Sequence, residues 1–341
     1  MKKYLVFLIS LVMPFALFGQ TYSALWKKVK EAENKDLPKT QYEVLQQIVK
    51  KATKEKAYGQ LLKAELESAS VMAEIAPDSL KPAMERMSER CEDMQDVVLK
   101  TIYQTVLYKV YTNNFQLEVK PVRPVLTEEI CSQLARVKDE TYDPFVLEGE
   151  DSKLFNNDML IVVGKELEEY EPLYNYYKQS GNRQAACLTA ARAYRWNAEK
   201  LDSLIEVYGD LPEAGDLAIA YYKAALIQKP DEENGEKIRF IDMAMRKWGG
   251  WKHMNTLRNM ERTLTNPQYR VKYEYEVNLP MQEMPIKLEQ LRNVSSLTMK
   301  VYRVKANGDI DIRPNYAEGY KKIKPLLSET PIKVVRQFVG K

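Results

Sequence analysis

A single histidine, His253, serves all 341 residues. Histidine-based catalytic triads and multi-histidine zinc sites need partners that one imidazole leaves unsupplied. In "WGGWKHMN" the ring stands between Trp251 and Met254, which reads as a packing or surface position. Cysteine is nearly as sparse. Cys91, Cys131 and Cys187 lie 40 and 56 residues apart, and none forms the C-x-x-C pair of a metal or redox motif. Buried apolar thiols within helices are expected, with one disulfide among the three as the alternative. The patterns G-x-S-x-G, P-loop and G-x-G-x-x-G are all missing. So no cofactor is implied, no metal site is expected, and the chain reads as a non-enzyme. Thirteen glycines is few, and fits a helix-rich chain with short connections. An excess of one charge is also missing. The formal net charge is +3, which gives no electrostatic case for nucleic acid or an anionic membrane as partner.

Long apolar runs are missing except at the start. "MKKYLVFLISLVMPFALFGQ" opens with Lys2-Lys3 and continues with an apolar run from Tyr4 to Phe18. The run is short for a span and has the flanks of a secretory signal peptide, so an uncleaved anchor is the weaker reading. The small residue Gly19 places cleavage between Gly19 and Gln20. No cysteine follows the run, so lipoprotein processing has no acceptor, and no stable membrane span is expected after cleavage.

From Thr21 the periodicity is helical. Leu25, Trp26 and Val29 share a face, Leu37-Pro38 breaks the pattern, and Val44, Leu45, Ile48 and Val49 resume it. "YGQLLKAELESASVMAEI" and "LKPAMERMSERCEDMQDVVLKTIYQTVLYKVY" continue in this style, with a boundary at Pro77-Asp78-Ser79. Pro121 and Pro124 exclude a helix, and Thr127 before Glu128 and Glu129 predicts an N-cap with an acidic first turn. "ETYDPFVLEGEDSKLFNND" carries Glu140, Asp143, Glu148, Glu150 and Asp151 without the ordered spacing of a calcium loop, and reads as a solvated acidic linker.

Weak self-similarity follows. At an offset of 31 residues Leu173 matches Leu204, Tyr177 matches Tyr208, Leu188 matches Ile219 and Ala193 matches Ala224. Each unit is a helix, a turn at Gly181 or Pro212, and an Ala-rich helix. This predicts an α-α repeat of tetratricopeptide-like type, although the usual period there is 34. A third pair runs through residues 237–264, with Gly249-Gly250 ending its first helix. Tyr170, Tyr174, Tyr176, Tyr177, Tyr194 and Trp196 are candidates for a ligand groove, but their helical spacing favours core packing. A glycan-binding site would need aromatics and carboxylates in an ordered set, and none is visible.

After Asn266 the period changes to two. Val271, Tyr273, Tyr275 and Val277 share one face of a predicted strand, and residues 284–293 supply a second. "NVSSLTMKVYRVKANGDIDI" supplies a third and fourth joined at Asn307-Gly308, and "PIKVVRQFV" a fifth. Five strands in the 76 residues from Asn266 to Lys341 fall short of a seven-stranded sandwich of about 100 residues. The last strand then has no partner on its far side.

The phrase "IKLEQLRNVSSLTMKVYRV" resembles the opening strands of a macroglobulin-like β-sandwich. The order of signal peptide, "YSALWKKVKEAENKDLPKT", helical body with "GNRQAA" and then this segment resembles the N-terminal region of alpha-2-macroglobulin family proteins of Bacteroidetes-type bacteria. The resemblance covers essentially the whole mature chain and contains no catalytic signature. None of the cysteines begins the C-x-E-Q of a thioester domain, and no further sandwich follows. The resemblance therefore implies a truncated or split N-terminal portion, and protease trapping is carried onto no residue.

The expectation is a mainly α chain with a small all-β end: signal peptide 1–19, helical repeat domain 20–265, and an incomplete macroglobulin-like sandwich 266–341. Its implied function is that of a non-enzymatic, exported envelope protein of the protease-inhibitor or trap family, with the helical part as scaffold or docking module. The alternative is a stand-alone periplasmic helical-repeat adaptor that binds peptides or proteins in a groove. Partners would be proteins, proteases or envelope components, and not nucleic acid. The location would be the periplasm or outer surface of a Gram-negative bacterium.

Overall fold

The computed structural model describes residues 20–114, 117, 122–272, 287–302, 321, 324–326, 330–331 and 333–338. Among them the chain is mainly helical. The α-helices are α1 (Tyr22–Asn34), α2 (Pro38–Glu55), α3 (Tyr58–Ile75), α4 (Leu80–Glu92), α5 (Val97–Asn113), α6 (Glu128–Leu134) and α7 (Met159–Leu167). They continue with α8 (Tyr170–Gln179), α9 (Arg183–Ala193), α10 (Ala198–Tyr208), α11 (Ala214–Tyr221), α12 (Asn234–Trp248) and α13 (Asn255–Thr265). The chain forms two compact units that divide between Met254 and Asn255. The first contains α1–α12. No described helix is long and apolar enough to cross a membrane.

Helix starts follow local side-chain chemistry. Thr21 caps α1, Asp96 caps α5, Thr127 caps α6 and Asp158 caps α7, each side-chain oxygen accepting an otherwise orphaned backbone N–H. Pro38 occupies the first position of α2, where the absent N–H is harmless. The long helical segment from Leu80 to Tyr111 is two helices. Asp96 captures the amide of Leu99 at 3.0 Å and starts α5 after a break at residues 93–96.

The N-terminal core is the expected stripe. Leu25 and Val29 of α1 meet Val44, Leu45 and Ile48 of α2 and Ala64 and Val71 of α3. Leu45 and Ile48 are fully buried, each contributing about 1.5–3 kcal/mol. Trp26 lies at the margin and donates its indole N–H to Gln60 at 2.6 Å. Buried Glu65 of α3 accepts from the Tyr103 hydroxyl of α5 at 3.0 Å and pairs with Arg90 of α4, so its charge is satisfied.

Farther along, α9 packs on α8, α10 and α11. Its small residues Ala185, Ala186, Cys187, Ala190 and Ala191 are buried and let these neighbours approach closely. The residues matched at an offset of 31 share their environments. Leu173 and Leu204 are buried, as are Tyr177 and Tyr208, and Leu188 and Ile219, while Ala193 and Ala224 are both half-buried. All three cysteines are buried and unpaired, as the apolar-thiol reading expects.

The second unit holds α13 and four strands: β1 (Gln268–Lys272), β2 (Lys287–Arg292), β3 (Ser296–Val301) and β4 (Lys333–Phe338). They form two antiparallel pairs, β1 with β2 and β3 with β4. Asn293, at φ 54°, donates its amide to the carbonyls of Leu264 and Asn266 and so ties the end of β2 to the end of α13. The last strand pairs with β3 on one side, Val301 opposite Lys333 and Ser296 opposite Phe338, and among the described residues no strand pairs with its far side. Val271, expected on a half-buried face, is 41% exposed. The signal run with Gly19, the strand residues Tyr273, Tyr275 and Val277, the Asn307-Gly308 turn and the fourth expected strand lie outside the described residues.

Candidate functional site

The first unit contains a groove of about 730 Å³, in the size range of ligand sites. One wall is the segment between α6 and α7, which the sequence presented as an acidic linker. Glu140, Asp143, Glu148 and Glu150 are exposed as expected, but the segment is folded. Lys138 and Asp158 form an antiparallel bridge at its base, and short 3-10 turns at Asp139–Tyr142 and Ser152–Phe155 shape it. Three further contacts fix it to the helices. Asn182 donates its amide to the Leu154 carbonyl at 2.9 Å, the Phe155 and Tyr177 rings lie 5.6 Å apart, and Lys252 pairs with Asp151 at 2.7 Å and Glu150 at 3.2 Å. These hydrogen bonds, Asp151 first, hold the Lys252 ammonium above its usual pKa range. The wall presents Phe145, Val146, Leu147 and Phe155 to the groove.

The opposite walls come from helix faces. Ile161, Val162, Lys165 and Glu166 repeat at the spacing of one face of α7, and Leu188, Thr189 and Arg192 at that of one face of α9. Asp158 orients α7 from its N-cap. It is 1% exposed and accepts from the Ile161 amide at 3.1 Å and the Tyr177 hydroxyl at 2.8 Å. Burial outweighs these bonds and raises the carboxyl to a pKa of about 6. Burial pushes the Tyr177 phenol up as well.

Asp216 of α11 closes one end of the groove with His253. His253 Nδ1 lies 2.8 Å from Asp216 Oδ1, and the Trp251 indole N–H donates to the same oxygen at 3.0 Å. A carboxylate oxygen only accepts, which assigns the His253 proton to Nδ1. So His253 is the partly exposed packing residue expected, its ring 5.4 Å from that of Trp251, and it is also a hydrogen-bonded part of the groove lining. A second, apolar cleft of about 220 Å³ adjoins the groove. It shares Phe145, Val146, Val162 and Glu166 with it and adds Ile102, Val106, Val110, Met159 and Val163.

The aromatic set splits. Tyr174 and Tyr177 are core, Tyr176 and Tyr194 are half-buried, Trp196 is 77% exposed, and Tyr170 alone lines the groove. Gln20, the residue after the expected cleavage, is half-buried ahead of α1. The residues that sequence reasoning missed are Lys165, Arg192 and Asp216. A lone arginine in the Ala-rich "QAACLTAARA" was the one available signal. Among the described residues no group of three His, Cys, Asp or Glu side chains is placed to hold a metal. No family model, curated protein or solved structure matches this chain.

Proposed function

We propose that the helical body is a docking module of tetratricopeptide-like repeat character, which holds an extended segment of a partner protein in the groove. The observation that carries this reading is the continuity of the groove with the apolar cleft, behind a wall pinned by Asn182 and Lys252. A polar trough beside an apolar slot suits a peptide, whose main chain needs hydrogen-bond partners and whose side chains need pockets. Offset-31 pairs with matching burial support the repeat character.

The proposed setting is an exported envelope protein. The resemblance to the N-terminal region of alpha-2-macroglobulin family proteins supports it through segment order, with the helical part as scaffold or docking module and the strands as the start of a sandwich. The test is hydrogen exchange on the full chain with and without a peptide captured from a random library. Protection confined to residues 145–155, 161–166 and 188–192 supports the docking reading. Protection elsewhere, or capture of no peptide, overturns it.

A further inference from the structure

The charges that line the groove are not all alike. Each carboxylate is already matched: Glu150 and Asp151 by Lys252, Glu166 by Lys109 at 3.5 Å, and Asp216 by His253 and Trp251. The two cations on the helix walls, Lys165 and Arg192, are exposed, and their side chains have no ion pair or hydrogen bond among the described residues. The groove is not basic overall, since four carboxylates share its lining; what sets Lys165 and Arg192 apart is that their side chains have no partner among the described residues. An arriving cation would have to break existing pairs, whereas an arriving anion meets two free ones.

From this charge complementarity we propose that the occupant is an acidic peptide, whose carboxylates meet Lys165 and Arg192 while a neighbouring apolar side chain enters the cleft beside Val106 and Val110. The inference rests on the docking reading and adds the chemistry of the partner. Guanidinium at Arg192 favours a carboxylate because its planar fork donates N–H bonds to both oxygens, and Lys165 adds a point charge on the neighbouring wall. The apolar cleft argues against a polyanion, since a phosphate chain would leave it empty.

The test uses the full chain and three fluorescein-labelled pentapeptides read by fluorescence anisotropy. They alternate leucine with glutamate, with glutamine or with lysine. The glutamate peptide should bind roughly tenfold more tightly than the glutamine peptide at low salt, and that advantage should shrink as salt rises. The double variant K165E/R192E should reverse the preference towards the lysine peptide. Neither side chain has a partner to lose, so unchanged circular dichroism confirms the fold. Val106→Gln should weaken all three peptides alike. Equal binding of the glutamate and glutamine peptides overturns the inference and leaves the docking reading standing. Binding of none of the three overturns the docking reading itself. A single-stranded oligonucleotide that competes as well as the glutamate peptide also overturns the inference.

Discussion

The Tyr177 hydroxyl donates to Asp158 Oδ1 at 2.8 Å, and neither side chain reaches solvent. This pair joins α8 to the start of α7, and so sets the angle of one groove wall. Asp158 is half-way to neutral near pH 6 in the folded chain, against about 3.9 when unfolded. Between those values the folded state holds more proton. Its stabilising share is therefore fully present below about pH 4 and is lost as pH rises through 6. The ceiling is about 3 kcal/mol. Asp158→Asn keeps the cap and the acceptor but cannot ionise. Urea unfolding from pH 4 to 7 should show a falling midpoint for the native chain and a flatter one for the variant. Tyr177→Phe removes a bond that favours the ionised form, and should lower stability by about 1–3 kcal/mol at pH 7.

Gly59 carries the other side of the groove wall. A Cβ there would sit 2.2 Å from both the carbonyl carbon and oxygen of Tyr142. Backbone cannot swing aside as a side chain can, so Gly59→Ala should lower stability by about 1–3 kcal/mol and shift the wall. Gly250→Ala meets nothing within 4 Å and serves as control. Thermal unfolding of the two variants should separate them by several degrees.

Lys252, itself half-buried, holds half-buried Asp151 and exposed Glu150 at the margin of the fold, so its effect should be local. Lys252→Ala should leave the unfolding midpoint nearly unchanged. Amide exchange across residues 147–153 should accelerate and peptide affinity should fall. A large drop in global stability with unchanged local exchange would contradict this role.

The three thiols are buried, and burial raises each, Cys131 to a pKa of about 11. Thiolate is the reactive form, so the folded chain should resist a disulfide reagent at pH 8. Denaturation should release three reactive thiols. Rapid reaction of one thiol in the folded chain would show an opening near it.

Much of the helical layout was legible in the sequence. Periodicity around Val44, Leu45 and Ile48, the proline at position 38 and the cap at Thr127 are local signals, decided by neighbours within one or two turns. The break before α5 is hard to read from sequence, because Asp93 to Asp96 can pass for an exposed helix face. Only the amide of Leu99 on the Asp96 side chain reveals a start. In the acidic segment between α6 and α7 the carboxylates Glu140, Asp143, Glu148 and Glu150 are exposed, as their sequence suggests. What spacing does not show is that Glu150 and Asp151 meet a lysine about a hundred residues away.

The sequence by itself determined which segments are helices and which strands, because hydrophobic spacing and capping act over a few residues. It also determined the shared burial of Leu173 with Leu204 and Tyr177 with Tyr208, since similar segments bury similar faces. Only the tertiary structure decided that Lys165 and Arg192 flank one groove, that Asp216 receives His253 and Trp251, and that β3 pairs with β4. Those relationships join residues tens of positions apart, and spacing along a chain carries no information about which distant faces will meet.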